Sequence, residues 1–265
     1  MLELLEQLFR QVYSYLHSEH FDRNRVYSHT SHHTTMQFDR EAEDIIINGL
    51  IESGHTFEII TEERATFTTS PNPTYRIVID PVDGSTNVSR GIMTAAVSLA
   101  VLPIDKPISP ENIEYALVGE LFSGTIYKAQ RNRGAFCNDQ PCHVSNTKEL
   151  RHCLIGLNFD GRDLDTLRRL IIDKPAPSKV HRTGSSAMDI VYIANGAYDA
   201  YIDIGDVISA ESFLAASSIV LEAGGILSDQ HGKNLHAITS LDERFSLVIA
   251  CTQELHSAIL NKIKY

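Results

Sequence analysis

Apolar residues at Leu2, Leu5, Leu8, Phe9, Val12, Tyr13 and Leu16 recur at the spacing of one helix face, so residues 2–17 form an amphipathic helix docked on a core. Its polar face is not basic, which argues against a membrane role. A second helix runs from Gln37 to Ser53, with Ile45, Ile46 and Leu50 on its buried side. Asp39, Glu41, Glu43 and Asp44 crowd its first turns, where acids ordinarily complement the dipole and cap the helix. Residues 55–63 read as a strand closing on the pair Glu62-Glu63, and residues 64–74, with Pro71 and Pro73, as a loop. Strands follow at 95–101, 115–121 and 124–130, the last two a hairpin with its tip at Ser123-Gly124. Residues 134–145 form a further tight hairpin, with Asn138-Asp139 suited to positive φ.

The second half opens near Arg151. A short strand (153–157), a helix (163–172), a linker (174–178), a helix opened by Gly184-Ser185-Ser186 and running to about Asn195, and a strand (198–204) follow. A helix of small and apolar residues from Glu211 to Glu222 stops at Gly224-Gly225. A strand (246–250) and a terminal helix end the chain. Mixed alternation of helix and strand predicts an α/β architecture of stacked layers.

The sharpest local signal is Arg76-Ile77-Val78-Ile79-Asp80-Pro81-Val82-Asp83-Gly84-Ser85-Thr86-Asn87. An apolar strand ends in two carboxylates three residues apart, facing a cleft at the strand's end. Pro81 predicts an abrupt turn, and Gly84 permits close backbone approach to a ligand. Hard cations such as Mg²⁺ take carboxylate and carbonyl oxygens together with substrate phosphate. The Gly84-Ser85-Thr86-Asn87 segment can open a helix whose N–H groups attract phosphate. Taken alone, the same residues also fit an ordinary Asp-Gly turn with an Asx cap. Of the histidines, His32 and His33 point apart on a strand and lack a third ligand at fixed spacing, so residues 29–35 read as a solvated loop near an active-site mouth.

Composition narrows the function classes. The 265 residues carry a formal net charge of −11, which argues against nucleic acid as the main partner. No apolar run of about 18 residues and no cleavable-looking signal segment occurs, so a soluble cytoplasmic protein without a membrane partner is expected. The four cysteines (137, 142, 153, 251) lack C-x-x-C spacing and read as free thiols.

With these residues in place, a resemblance emerges. Asp80-Pro81-Val82-Asp83-Gly84-Ser85-Thr86-Asn87 is similar to the Asp-Pro-x-Asp-Gly-Thr/Ser-x-Asn signature of the inositol monophosphatase and fructose-1,6-bisphosphatase superfamily. Thr35-x-x-x-Asp39 with Glu43, Glu62-Glu63, Gly134-Ala135-Phe136-Cys137-Asn138, Gly184-Ser185-Ser186-Ala187 and Glu222-Ala223-Gly224-Gly225 fall in family order along nearly the whole chain. The resemblance implies an α-β-α-β-α sandwich over residues 1–265 as a single domain, with a metal and phosphate half (1–150) and a substrate half (151–265). It implies a homodimeric, Mg²⁺-dependent phosphomonoesterase that binds two to three ions, with Mn²⁺ as a substitute. Its substrate would be a small phosphorylated metabolite, inositol monophosphate or fructose 1,6-bisphosphate, attacked by a metal-activated water. Carried over by position, Glu62, Asp80 and the Val82 carbonyl hold the first ion, Asp80 and Asp83 the second, and Glu62 contributes to a third. Asp39 and Ser85 position the water, N–H groups of Gly84, Ser85 and Thr86 hold phosphate, and Gly184, Ser185, Ser186 and Asp203 face the alcohol.

One motif departs from the pattern. The family carries an Asp near the start of the helix ending in Glu-Ala-Gly-Gly, and it completes the second metal site; counting back from Glu222, Ser212 stands there. Glu211 turned inward, or Asp206 in the preceding loop, could restore the charge. Otherwise the site is weakened, and the chain is a low-activity enzyme or a phosphate- or metabolite-binding protein that keeps the fold.

Overall fold

The structure is a computed structural model that describes residues 1–29 and 34–264; His32 and His33, read above as part of a polar loop, lie outside them. The first half runs α1 (Leu2–Leu16), β1 (Val26–His29), β2 (Thr34–Met36), α2 (Gln37–Glu52), β3 (Phe57–Thr61), β4 (Phe67–Thr68), β5 (Tyr75–Asp83), α3 (Ser85–Arg90) and β6 (Ala96–Pro103). It continues with β7 (Tyr115–Glu120), β8 (Ile126–Gln130), β9 (Gly134–Cys137) and β10 (Gln140–Cys142). The second half supplies β11 (Leu154–Leu157), α4 (Leu164–Ile171), β12 (Lys179–His181), α5 (Ser186–Val191) and β13 (Ala200–Ile208). It closes with α6 (Ala210–Glu222), β14 (Ile226–Ser228), β15 (Phe245–Ala250) and α7 (Gln253–Ile263).

Eight strands form one sheet in the order β10-β9-β8-β7-β6-β5-β3-β4, and five form a second in the order β12-β11-β13-β15-β14. Side chains alternate across a strand, and the alternation in β5 and β6 splits the interior in two. Ile77, Ile79, Val97 and Leu99 join α1 and α2 on the outer face, whereas Val78, Ala96 and Ala100 join α6 and the second sheet. Helices α5 and α6 lie between the sheets, and α7 packs on β15 with α4 beside it. The layers are therefore α-β-α-β-α, as expected.

Helix α6 explains its own composition. Sandwiched between sheets, it buries Phe213, Leu214, Ala215, Ala216, Ser217, Ser218, Ile219 and Val220, so it shows almost no polar face. Small residues let both sheets approach. The buried Ser218 hydroxyl is satisfied by donation toward the Leu214 or Pro110 carbonyl.

Several local expectations change. Strand β5 does not turn away at Pro81. It continues to Asp83, its pairing with β6 shifting register between Asp80 and Asp83, because a bulge absorbs a residue that cannot donate to the ladder. The segment 64–74 contains the two-residue strand β4, and the first part of the 29–35 loop belongs to β1. Helix α5 ends at Val191, well before Asn195. Strands β12 and β14, three residues each, carried no readable alternation.

Candidate active site

The carboxylates gather where β5 meets α2, α3, α5 and α6. Asp80 and Asp83, at the bulged end of β5, are 2% and 8% exposed. Gly84 adopts φ +101° and caps α3; a side chain there would be strained by the left-handed backbone and would also press on Ala95 and the Thr94 carbonyl. This turn sets Ser85 over the bulge, its Oγ 2.6 Å from Asp39 Oδ1 and 2.9 Å from the Val82 carbonyl. Asp39 does what its position near the α2 N-terminus suggests, accepting the Met36 N–H at 3.0 Å, and it also reaches Ser85.

Asp83 faces the other half of the chain. Its Oδ2 accepts from the Ser185 hydroxyl at 2.5 Å and from the Ala187 N–H at 2.8 Å. Ser185 also caps α5. Gly184 is at φ +89°, and a Cβ there would stand 2.9 Å from Asn87 Oδ1. Asn87 fixes the approach from its side by donating to the Thr94 and Thr183 carbonyls, both at 2.8 Å. Thus the Gly84-Ser85 turn of one half and the Gly184-Ser185 turn of the other meet around Asp83 and Asn87.

Asp203 does not present a free acceptor. It is fully buried and receives Arg162 at both oxygens, 2.8 and 2.7 Å, with Asn158 at 3.1 Å and Tyr201 at 3.2 Å. The expectation that it takes a substrate hydroxyl therefore meets a carboxylate already saturated by its neighbours. Ser186 connects to this cluster through the Tyr201 hydroxyl at 3.4 Å. Sequence reading missed Arg162 and Asn158, because the pairing joins residues 41 and 45 positions away from Asp203.

Glu62 follows β3 and opens onto a cavity of about 760 Å³, which Glu63, Arg64, Ser209, Glu211, Ser240 and Arg244 also line. A larger surface depression of about 800 Å³ lies on α1 and α2 and shares no lining residue with this cluster. The corner bearing Glu62 is anchored by fully buried Glu43, which accepts from Thr61 at 2.7 Å, Arg40 at 3.1 Å and Arg64 at 2.5 Å. Arg40 also donates to the Glu63 carbonyl at 2.6 Å. From the sequence, Glu43 had a motif position and a dipole role; its anchoring function needed the fold.

The site is electrostatically costly. Burial is the largest cause raising each carboxyl, and neighbouring acids add to it. Asp39 is pushed up to about 7, its bonds to Ser85 and Met36 pulling the other way. Asp83 rises to about 6 and Asp80 goes well above the usual range. Glu62 is raised to about 8, with Glu211 and Glu63 the leading acids after burial, although its side chain is exposed at the cavity mouth, where solvent screening makes the rise smaller. Among the described residues, no hydrogen bond or ion pair brings a lysine or arginine to Asp39, Asp80 or Asp83.

Such a group fits a hard divalent cation by donor chemistry. Carboxylate and carbonyl oxygens are gathered, Asp39, Asp80 and Asp83 have no basic hydrogen-bond or ion-pair partner among the described residues, and Glu211 Oε2 is buried without a hydrogen-bond partner. Among the described residues no three His, Cys, Asp or Glu side chains already converge as ligands. Asp83 is turned onto Ser185, Asp80 onto the Val82 N–H at 3.2 Å, and Asp39 onto Ser85. Side-chain rotation would be needed to point them at one ion.

Among known proteins, the sequence profile of the Inositol monophosphatase family matches residues 1–264. A fructose-1,6-bisphosphatase/inositol-1-monophosphatase of Methanothermobacter thermautotrophicus is 28% identical over 239 residues, covering 87% of this chain and 83% of that protein. The Nus factor SuhB of Pseudomonas aeruginosa is 32% identical over 207 residues, 75% of this chain and 73% of its own. The crystal structure of the extragenic suppressor protein suhB from Bartonella henselae superposes with a TM-score of 0.83 at 26% identity, over 99% of this chain and 97% of that one.

Proposed function

The chain belongs to the inositol monophosphatase family, and from that premise we propose a Mg²⁺-dependent phosphomonoesterase acting on a small polyol or sugar phosphate, inositol monophosphate first and fructose 1,6-bisphosphate second. The observation that carries this reading is the Ser85–Asp39 hydrogen bond of 2.6 Å set beside buried Asp80 and Asp83. Bound Mg²⁺, two to three ions with Mn²⁺ as a substitute, would make a water acidic and offset phosphoryl charge. Glu62, Asp80, Asp83 and the Val82 carbonyl are the residues we assign to hold it.

The protein's own contribution follows from the geometry. A Ser85 hydroxyl that donates to Asp39 keeps its lone pairs for a water proton, so it aims an attacking water and passes charge toward Asp39. Ser85 and Thr86 open α3, and with Gly84 they offer N–H groups without helical acceptors to a phosphate. Gly184, Ser185 and Ser186 line the alcohol side; Asp203 acts there through Arg162, Asn158 and Tyr201 rather than directly.

We also read the chain as one unit, because α5 and α6 of the second half fill the space behind the first sheet. Exposed Ile92, Met93, Phe159 and Val180 would suit a second copy in a homodimer. No helix among the described residues is long and apolar enough to cross a membrane, which supports a cytoplasmic setting. Ser212, a hydroxyl where a carboxylate is expected, favours the second reading, a weakened member that binds a phosphorylated metabolite without turning it over. Phosphate release from inositol 1-phosphate and fructose 1,6-bisphosphate over a Mg²⁺ titration separates the two. Turnover that saturates with Mg²⁺ supports the enzyme; binding of either substrate without release supports the alternative.

A further inference from the structure

The position that lacks a carboxylate has a neighbour that does not. Glu211, second residue of α6, is 6% exposed, and its Oε2 has no hydrogen-bond partner. Ser209 and Arg244 offset the charge of this carboxylate in part, and a buried charged atom without a bond remains costly. The backbone at this point is tied to the carboxylate strand. Ser98 stands opposite Asp80 in the β5–β6 ladder, and its hydroxyl donates to the Glu211 carbonyl at 3.2 Å. Ser212 approaches from the same turn, its Oγ 3.4 Å from Asp80 Oδ2. Glu211 and Glu62 line one cavity, together with Arg64 and Arg244, so the side chain is directed into that cavity and not out to solvent beside the helix end.

We propose that Glu211 supplies the carboxylate of the cation position shared with Asp80 and Asp83, while Ser212 holds Asp80 by hydrogen bond. A glutamate is one methylene longer than an aspartate, which lets it serve from one helix position earlier. Asp206 is excluded as the substitute by its contacts, since Ser246 holds its Oδ1 at 2.6 Å and it lines a separate small cavity with Asp229 and His236. Asp206 was the more distant candidate in the sequence, and the fold turns it elsewhere.

The inference rests on the phosphatase reading above, and Mn²⁺ binding by the full chain tests the two apart. Chelator-stripped protein is titrated with Mn²⁺ and free ion is counted by electron paramagnetic resonance. The wild type binds two or more ions. Glu211→Gln loosens one of them by about tenfold or more, Ser212→Ala changes binding by less than about threefold, and Asp206→Asn leaves it unchanged. Placing Ser212→Asp in the Glu211→Gln background returns the lost ion, which also shows that Glu211→Gln is folded. Wild-type stoichiometry and affinity in Glu211→Gln, or a double variant that stays as weak as Glu211→Gln, overturns the assignment. A wild type that binds no Mn²⁺ overturns the phosphatase reading itself.

Discussion

Replacing Asp39 by Asn should stabilise the cation-free protein while abolishing most of its activity. Asp39 is 2% exposed, and its carboxyl is raised from 3.8 to about 7, chiefly by burial. At about 1.4 kcal/mol per unit, holding this group ionised costs on the order of 4 kcal/mol. The sign follows from linkage. The folded value lies above the unfolded one, so the group's favourable contribution is complete below about pH 4 and is lost as pH rises through about 7. Asn carries no such dependence. Its carbonyl can still accept the Met36 N–H, and its amide can donate to Ser85 Oγ, which then donates to the Val82 carbonyl 2.9 Å away. The loss of a charge-assisted bond takes back about 1.5–3 kcal/mol. Urea unfolding in chelator should therefore find Asp39→Asn more stable than wild type by about 1–2 kcal/mol at pH 8. At pH 5, where Asp39 is largely protonated, the difference should move by roughly 3 kcal/mol and reverse, leaving wild type the more stable by about 1–2 kcal/mol. Phosphate release with Mg²⁺ should fall by about 10²–10⁴, the usual worth of a positioned base. A stability difference that is the same at pH 5 and pH 8 would refute the buried-charge argument, and unchanged turnover would remove Asp39 from the chemistry.

Two further outcomes follow from the same geometry. Gly184→Ala should lose at least about 1–2 kcal/mol in thermal unfolding, since φ +89° disfavours any side chain and the new Cβ would meet Asn87; it should also slow phosphate release by moving Ser185 from Asp83. Arg162→Met should cost about 3–5 kcal/mol by leaving Asp203 buried and unpaired, and adding Asp203→Leu should recover part of that loss if the pair rather than the packing is responsible.

The site was readable from sequence where it is local. Asp80, Val82, Asp83, Gly84 and Ser85 lie within six residues, and a strand running into Asp-Gly-Ser states its own geometry. The layers followed from long periodic elements such as α1, α2 and β6. What escaped was set by contacts across the chain. Arg162 on Asp203 and Glu43 under the Glu62 corner each join elements about 20 to 40 positions apart, and no periodicity marks them. The bulge that carries β5 through Pro81 depends on β6 as its partner. Likewise, Glu211 and Ser212 cannot be distinguished by spacing alone; the rotation of α6 against β5 and β6 decides which oxygen meets Asp80.

On the proposed mechanism, water attacks phosphorus at the Ser85–Asp39 pair with a divalent cation bound. Hydrolysis of inositol 1-phosphate by chelator-stripped protein in ¹⁸O water, with Mg²⁺ added back, tests it in one measurement. No release is expected before Mg²⁺ and, after it, one labelled oxygen in the phosphate with none in the inositol. Label in the inositol, or release that ignores both chelator and Mg²⁺, would contradict it.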